Sequence, residues 1–199
     1  MRHIKPLDLA WIHANARRLH IVATNIDTGT PHTFSEFESY KHYRECLKAS
    51  VTIPMIAGAV HVDGVRIMDG GLVQQIAFQS AFAAGATKVL TLMTRREDEK
   101  YRPLGSLSLM LQSYVLQGLS GGKIGAIYRD RNRTINDSVA MVDSGMGPQG
   151  QKVGGIQLHH SIDYIHRLTQ DPALLRLAAE VSKDHVKDVF ASFDCANLD

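Results

Sequence analysis

Cysteine is almost absent from this 199-residue sequence, which has only Cys46 and Cys195 and no CxxC spacing. Two such residues cannot build a disulfide framework, and their scarcity fits a reducing compartment, so a cytoplasmic location is expected. Long hydrophobic runs are absent too. The longest apolar runs, such as Val89–Met93 broken by Thr91, are strand-sized, far below the ~18 apolar residues of a membrane-spanning helix. Neither sign of charge dominates: 22 Lys and Arg against 20 Asp and Glu leave a net charge of +2. That balance lacks the basic excess of a phosphate-backbone binder, so nucleic acid is not an expected partner. The opening Met-Arg-His-Ile-Lys-Pro-Leu-Asp has no apolar segment behind its basic residues, and no secretory signal is expected. None of the ten histidines falls in an HExxH pattern, and no metal or other cofactor is expected. His159 and His160 would point to opposite faces of a strand, and Asp163 and His166 read as a helical surface pair.

What is present suffices for a core. Hydrophobic residues make up 44% and charged residues 21%, which predicts one globular domain over residues 1–199. Apolar spacing over Leu9–Ala16 predicts a short helix, and the β-branched run Leu19–Ile26 a strand covered on both faces. Asp27–Pro31 supplies turn chemistry, with His32–Phe34 returning as a partner strand. Helical spacing over Tyr40–Ala49 stops before Pro54. Val60–Val62 and Val65–Met68 flank Asp63-Gly64, a pair favoured in two-residue hairpins. A helix from about Gln75 to Ala84 precedes the strand Lys88–Met93, a succession that predicts a parallel or mixed sheet with helices packed on it.

Further along, Leu104–Leu116 reads as a buried helix in which Leu107, Met110, Leu111 and Tyr114 fall at core spacing, with an acyl-chain pocket as the alternative use. Glycines at 118, 121 and 122 interrupt it, and a charged helix is predicted over Lys123–Ser138. Its Lys123, Arg129, Arg131 and Arg133 could meet anionic headgroups, but Asp130 and Asp137 dilute the charge and favour a solvated face. Ala140–Val142 and Gly154–Leu158 read as short strands. Thr169 or Asp171 can cap a last helix with Pro172 at its first position.

The chemistry lies in Ala49-Ser50-Val51-Thr52-Ile53-Pro54, the hairpin that follows, and Asp69-Gly70-Gly71-Leu72. This succession resembles the patatin-like phospholipase family, in which an Ala-Ser-x-x-x-Pro segment precedes a hairpin and an Asp-Gly-Gly or Asp-Gly-Ala motif. Ile21–Gly29 is similar to that family's strand and turn before the helix, and Ala84–Leu90 to its helix-to-strand step. Arg167–Pro172 resembles a C-terminal helix of its bacterial members.

The resemblance implies a three-layer α/β/α fold and a lipid acyl hydrolase with a Ser–Asp dyad, acting on a lipid ester and touching membranes peripherally. Asp69 maps to the base, and Gly70 and Gly71 to the motif that turns the backbone beside it. The family's oxyanion glycines and Gly-x-Ser-x-Gly elbow precede the part that matches residues 19–29, and residues 1–18 contain neither serine nor glycine. The chain is therefore expected to be an N-terminally truncated domain carrying the Asp half of the dyad, with sheet edges open to self-association. A catalytically inactive binding or scaffold remnant is the alternative.

One Gly-x-Ser-x-Gly does occur, at Gly118–Gly122, which makes Ser120 a weak candidate nucleophile. An elbow needs a strand before its serine, whereas Gln112–Gln117 reads as helix. The rival α/β-hydrolase order would pair Ser120 with Asp137 or Asp143 and with His160 or His185.

Overall fold

The computed structural model describes residues 8–14, 19–53, 57–96, 105–120, 123–158 and 169–192. The chain has mixed α/β content and divides into two compact units, Met1–Ser80 with Pro103–Ile135, and Ala81–Arg102 with Asn136–Asp199.

In the first unit a short helix α1 (Leu9–Ala14) leads to β1 (Ile21–Asn25) and β2 (Thr30–Phe34). Helix α2 (Tyr40–Ser50) follows, with the Ser39 side chain accepting from the His42 amide as N-cap. Strands β3 (Val60–Val62) and β4 (Val65–Asp69) then form a hairpin. Its two loop residues, Asp63 at φ 50° and Gly64 at φ 74°, supply the paired positive φ that a type I′ turn needs. The four strands make an antiparallel sheet in the order β2-β1-β4-β3.

Central β1 is buried on both faces, as its β-branched, apolar composition predicts. The edges are β2, where Pro31 has no amide proton to offer a neighbour, and the three-residue β3. Period-2 alternation along β4 sends Ile67 and Met68 to opposite faces. Ile67 joins Ile21, Ala23, Phe34 and Val62 against Cys46 and Ala49 of α2. Met68 joins Ile26 and Leu72 against Leu116, Ile124 and Tyr128.

Those last three belong to α4 (Ser106–Ser120) and α5 (Lys123–Arg129). The two helices pack closely at Gly125, where a Cβ would stand 2.6 Å from the Ser113 carbonyl oxygen. Helix α4 runs through Gly118 rather than breaking there. It is not the buried helix its leucines suggest: Leu107, Met110, Leu111 and Tyr114 are 67%, 60%, 58% and 77% exposed. Ser and Gln residues are interspersed among the apolar ones along the helix, so spacing alone could not say which face packs. The inner face is set by Ser113 and Leu116, which are buried.

The 3-10 turn Gly70–Leu72 leads to α3 (Phe78–Ala83), shorter than the predicted Gln75–Ala84. In the second unit β5 (Lys88–Arg96) pairs in parallel with β6 (Lys152–Leu158), and α7 (Pro172–Ser192) packs on β6. Asp171 caps α7, its Oδ1 accepting from the Ala173 amide at 2.8 Å. Between these elements the predicted charged helix divides at Asp130, and α6 (Arg131–Ser144) absorbs Ala140–Val142, which was expected as a strand. Three apolar residues fit either structure, and the helical run through Asn136–Val139 carries on across them.

Candidate functional site

Asp69 ends β4 and caps the 3-10 turn that follows, so the residue lies where a strand gives way to a sharp turn. Its backbone is held from two sides. The amide donates to the Thr52 carbonyl at 3.1 Å, and the carbonyl accepts from Thr24 Oγ1 at 2.7 Å. Thr24 is fully buried in β1, whose Ala23 stands opposite Asp69 in the antiparallel register. Thr52 belongs to the Ala-Ser-x-x-x-Pro segment just beyond α2. Segments that are far apart in sequence thus converge on this one residue.

The half-buried carboxylate has a defined hydrogen-bond environment. Oδ1 accepts from the Gly71 amide at 2.7 Å, and among the described residues no group bonds Oδ2. The two glycines have different tasks. A Cβ on Gly70 would stand 2.5 Å from the Val22 carbonyl oxygen, so only glycine lets this turn lie flush against β1. A Cβ on Gly71 would meet Asp69 Oδ1 at 3.1 Å, so glycine also keeps the approach to the carboxylate clear.

Arg131, the first residue of α6, closes the arrangement from outside. Its Nη1 donates to the Gly71 carbonyl at 2.8 Å, and its guanidinium lies 5.3 Å from the centroid of the Tyr128 ring. The Tyr128 hydroxyl in turn donates to Gln112 Oε1. Thr24, Thr52 and Arg131 were not singled out by sequence reasoning. Their partners are 17 to 60 residues away, and no local pattern marks a hydroxyl, a carbonyl or a guanidinium for such a contact.

Ser120 is placed differently. It is the last residue of α4, so a helix stands where a nucleophile elbow requires a strand. The acids of the rival order, Asp137 and Asp143, are exposed on α6, and His185 is on α7. His159, His160, Asp163, His166 and Cys195 lie outside the described residues. Among the described residues no three His, Cys, Asp or Glu side chains cluster to hold a metal ion, and no helix is long and apolar enough to cross a membrane.

A second polar contact ties α2 to the hairpin. His42 Nδ1 accepts from the Glu38 amide at 3.3 Å, and Nε2 contacts Asp63 Oδ2 at 3.1 Å. With Nδ1 accepting, Nε2 carries the proton and donates to Asp63. One turn along α2, Cys46 is buried, and burial with the Asp63 charge nearby raises its thiol to about 11. It stays a protonated core residue rather than a nucleophile.

Comparison with known proteins adds no relative: no family profile matches the chain and no curated protein does.

Proposed function

We propose that this chain carries the base of a Ser–Asp lipid acyl hydrolase of the patatin-like kind, with Asp69 as that base and the sheet around it belonging to a three-layer α/β/α domain. The observation that supports the reading most is the state of the Asp69 carboxylate. One oxygen is held by the Gly71 amide on a glycine turn, and no described residue bonds the other. A base arranged this way keeps its orientation while one lone-pair face remains for a proton.

In this chemistry Asp69 Oδ2 takes the hydroxyl proton of a serine as its Oγ bonds to the ester carbonyl carbon. Collapse of the tetrahedral species breaks the ester C–O bond, and the proton on Asp69 passes to the departing alkoxide. Asp69 then takes a proton from water, whose oxygen bonds to the acyl carbon; the acyl–Oγ bond breaks, the proton on Asp69 passes to the serine Oγ, and the fatty acid is released. The resemblance places the serine on an elbow before β1. Ser120, at a helix end, does not take that part.

Fluorophosphonate labelling read by intact mass tests the proposal. The folded chain alone is expected to remain unlabelled. Fusing a strand, Gly-x-Ser-x-Gly elbow and helix from a patatin-like hydrolase to residue 19 is expected to yield one labelled serine, with the label lost in Asp69→Asn. A label that persists in Asp69→Asn overturns the assignment of the base. A label on the unfused chain that Ser120→Ala abolishes overturns the dyad. A fusion that folds but never labels favours the inactive binding module.

A further inference from the structure

The dipeptide Asp-Gly occurs twice in the chain, at Asp63-Gly64 and Asp69-Gly70. Such a pair is prone to isomerise, because glycine has no Cβ to keep its amide nitrogen away from the aspartate Cγ. The fold treats the two pairs oppositely.

At Asp69-Gly70 both the peptide plane and the carboxylate are held. The Asp69 carbonyl accepts from Thr24 Oγ1 at 2.7 Å, and Oδ1 accepts from the Gly71 amide at 2.7 Å. Gly70 itself lies against β1, where a Cβ would stand 2.5 Å from the Val22 carbonyl oxygen. Cyclisation here would have to turn the peptide plane out of all these contacts.

At Asp63-Gly64 the plane is free to turn. Both residues are exposed at the tip of the β3–β4 hairpin, and nothing lies within 4 Å of where a Gly64 Cβ would be. Among the described residues none accepts from the Gly64 amide and none donates to the Asp63 carbonyl. Asp63 is also the one non-glycine residue among them with positive φ, at 50°, a region that an L side chain occupies at a cost. Its carboxylate is tied to His42 Nε2 at 3.1 Å, but the Asp63 side of that pair is 58% exposed, and water readily replaces such a contact.

We propose that the fold makes Asp63 a site of spontaneous isoaspartate formation and protects Asp69 from the same reaction. The Gly64 amide nitrogen bonds to Asp63 Cγ, and the hydroxyl of the carboxylic acid departs as water with the amide proton, which closes a succinimide. Water then breaks the bond from the ring nitrogen to the Asp63 main-chain carbonyl carbon, so the chain continues through Cβ and Cγ. No electrons are transferred, and water is the only co-reactant. The product has one more backbone atom in a turn built for two residues, so the type I′ geometry is lost. Its carboxylate now sits directly on Cα, and the tie from the hairpin to His42 of α2 is broken.

Peptide mapping tests the proposal on the intact wild-type chain. Trypsin cleavage after Lys48, Arg66 and Lys88 puts the two pairs in separate peptides, 49–66 and 67–88. After long incubation of the folded chain at neutral pH, isoaspartate is read as a retention shift at constant mass and located by electron-transfer fragmentation. It is expected to be about tenfold or more abundant in 49–66, since Asp69 must first give up its hydrogen bonds. In urea the two peptides should isomerise at similar rates. Asp63→Asn retains a residue suited to the turn, and its side-chain amide should be lost as ammonia from the folded chain, faster than wild type isomerises. Equal isoaspartate in the two peptides of the folded chain overturns the proposal, as does none at Asp63 when the unfolded chain forms it. So does an Asp63→Asn chain whose mass stays constant. A preference for 49–66 that persists undiminished in urea also overturns it, because local sequence and not the fold would then make the choice.

Discussion

Arg131 and Gly71 are 60 residues apart in the chain and are joined by a hydrogen bond of 2.8 Å from the guanidinium Nη1 to the glycine carbonyl. The amide of the same Gly71 holds the Asp69 carboxylate. One short turn is therefore pinned on one side by a cation and aligns an anion on the other. Since Arg131 also lies against the Tyr128 ring, the start of α6 and the end of α5 brace the turn together.

Removing that brace should loosen the turn without dismantling the sheet. Arg131→Ala loses a charge-assisted hydrogen bond and a cation–π contact, and a loss of about 1–3 kcal/mol is expected. Urea unfolding measures it, and faster amide exchange at Gly71 in the variant would place the loss at the turn.

Gly70→Ala should be far more damaging than its single added methyl suggests. The new Cβ would meet the Val22 carbonyl at 2.5 Å, backbone against backbone, with no flexible side chain to yield. A destabilisation of about 2–4 kcal/mol is expected. The midpoint of chemical denaturation reports it. An alanine variant as stable as wild type would show that the turn does not lie flush on β1.

Thr24→Val keeps the shape of a fully buried side chain and deletes the hydroxyl that donates to the Asp69 carbonyl. A loss of about 1–2 kcal/mol is expected, because the strand-end carbonyl is left short of a partner. Comparing denaturation of Thr24→Val with Thr24→Ser separates the hydroxyl from the methyl, since serine retains the donor.

Alkaline pH should weaken the protein through Cys46. Burial, reinforced by the Asp63 charge, raises the folded thiol from the ordinary 9.0 to about 11. The unfolded chain therefore loses this proton first. The contribution is fully present below pH 9 and is lost as pH rises toward 11, by about 2–3 kcal/mol in total. Urea midpoints across this range should fall more steeply for wild type than for Cys46→Ala. Parallel slopes would refute the assignment.

Local chemistry is sufficient for much of the first unit. The β-branched run that became β1, the Asp63-Gly64 turn and the end of β4 at Asp69 follow from period-2 alternation and from the backbone freedom of particular residues, which act within a few positions of themselves. The placement of Asp69 at a glycine turn was legible for the same reason, since strand, Asp and two glycines are consecutive. Three apolar residues at 140–142 were not legible, because helix and strand accommodate them equally well and the surrounding helix decides.

Tertiary structure alone decided the rest. Helix α4 mixes Ser and Gln with its apolar residues, so its spacing could not assign Ser113 and Leu116 to the core and leave Leu107, Met110, Leu111 and Tyr114 in solvent; packing against α5 does that. The contacts that fix Asp69 come from Thr24, Thr52 and, through Gly71, Arg131, which the chain brings together only by folding. A hydrogen bond needs its partners within about 3 Å and carries no periodicity along the sequence, so residues of this kind stay invisible until the backbone has brought them together.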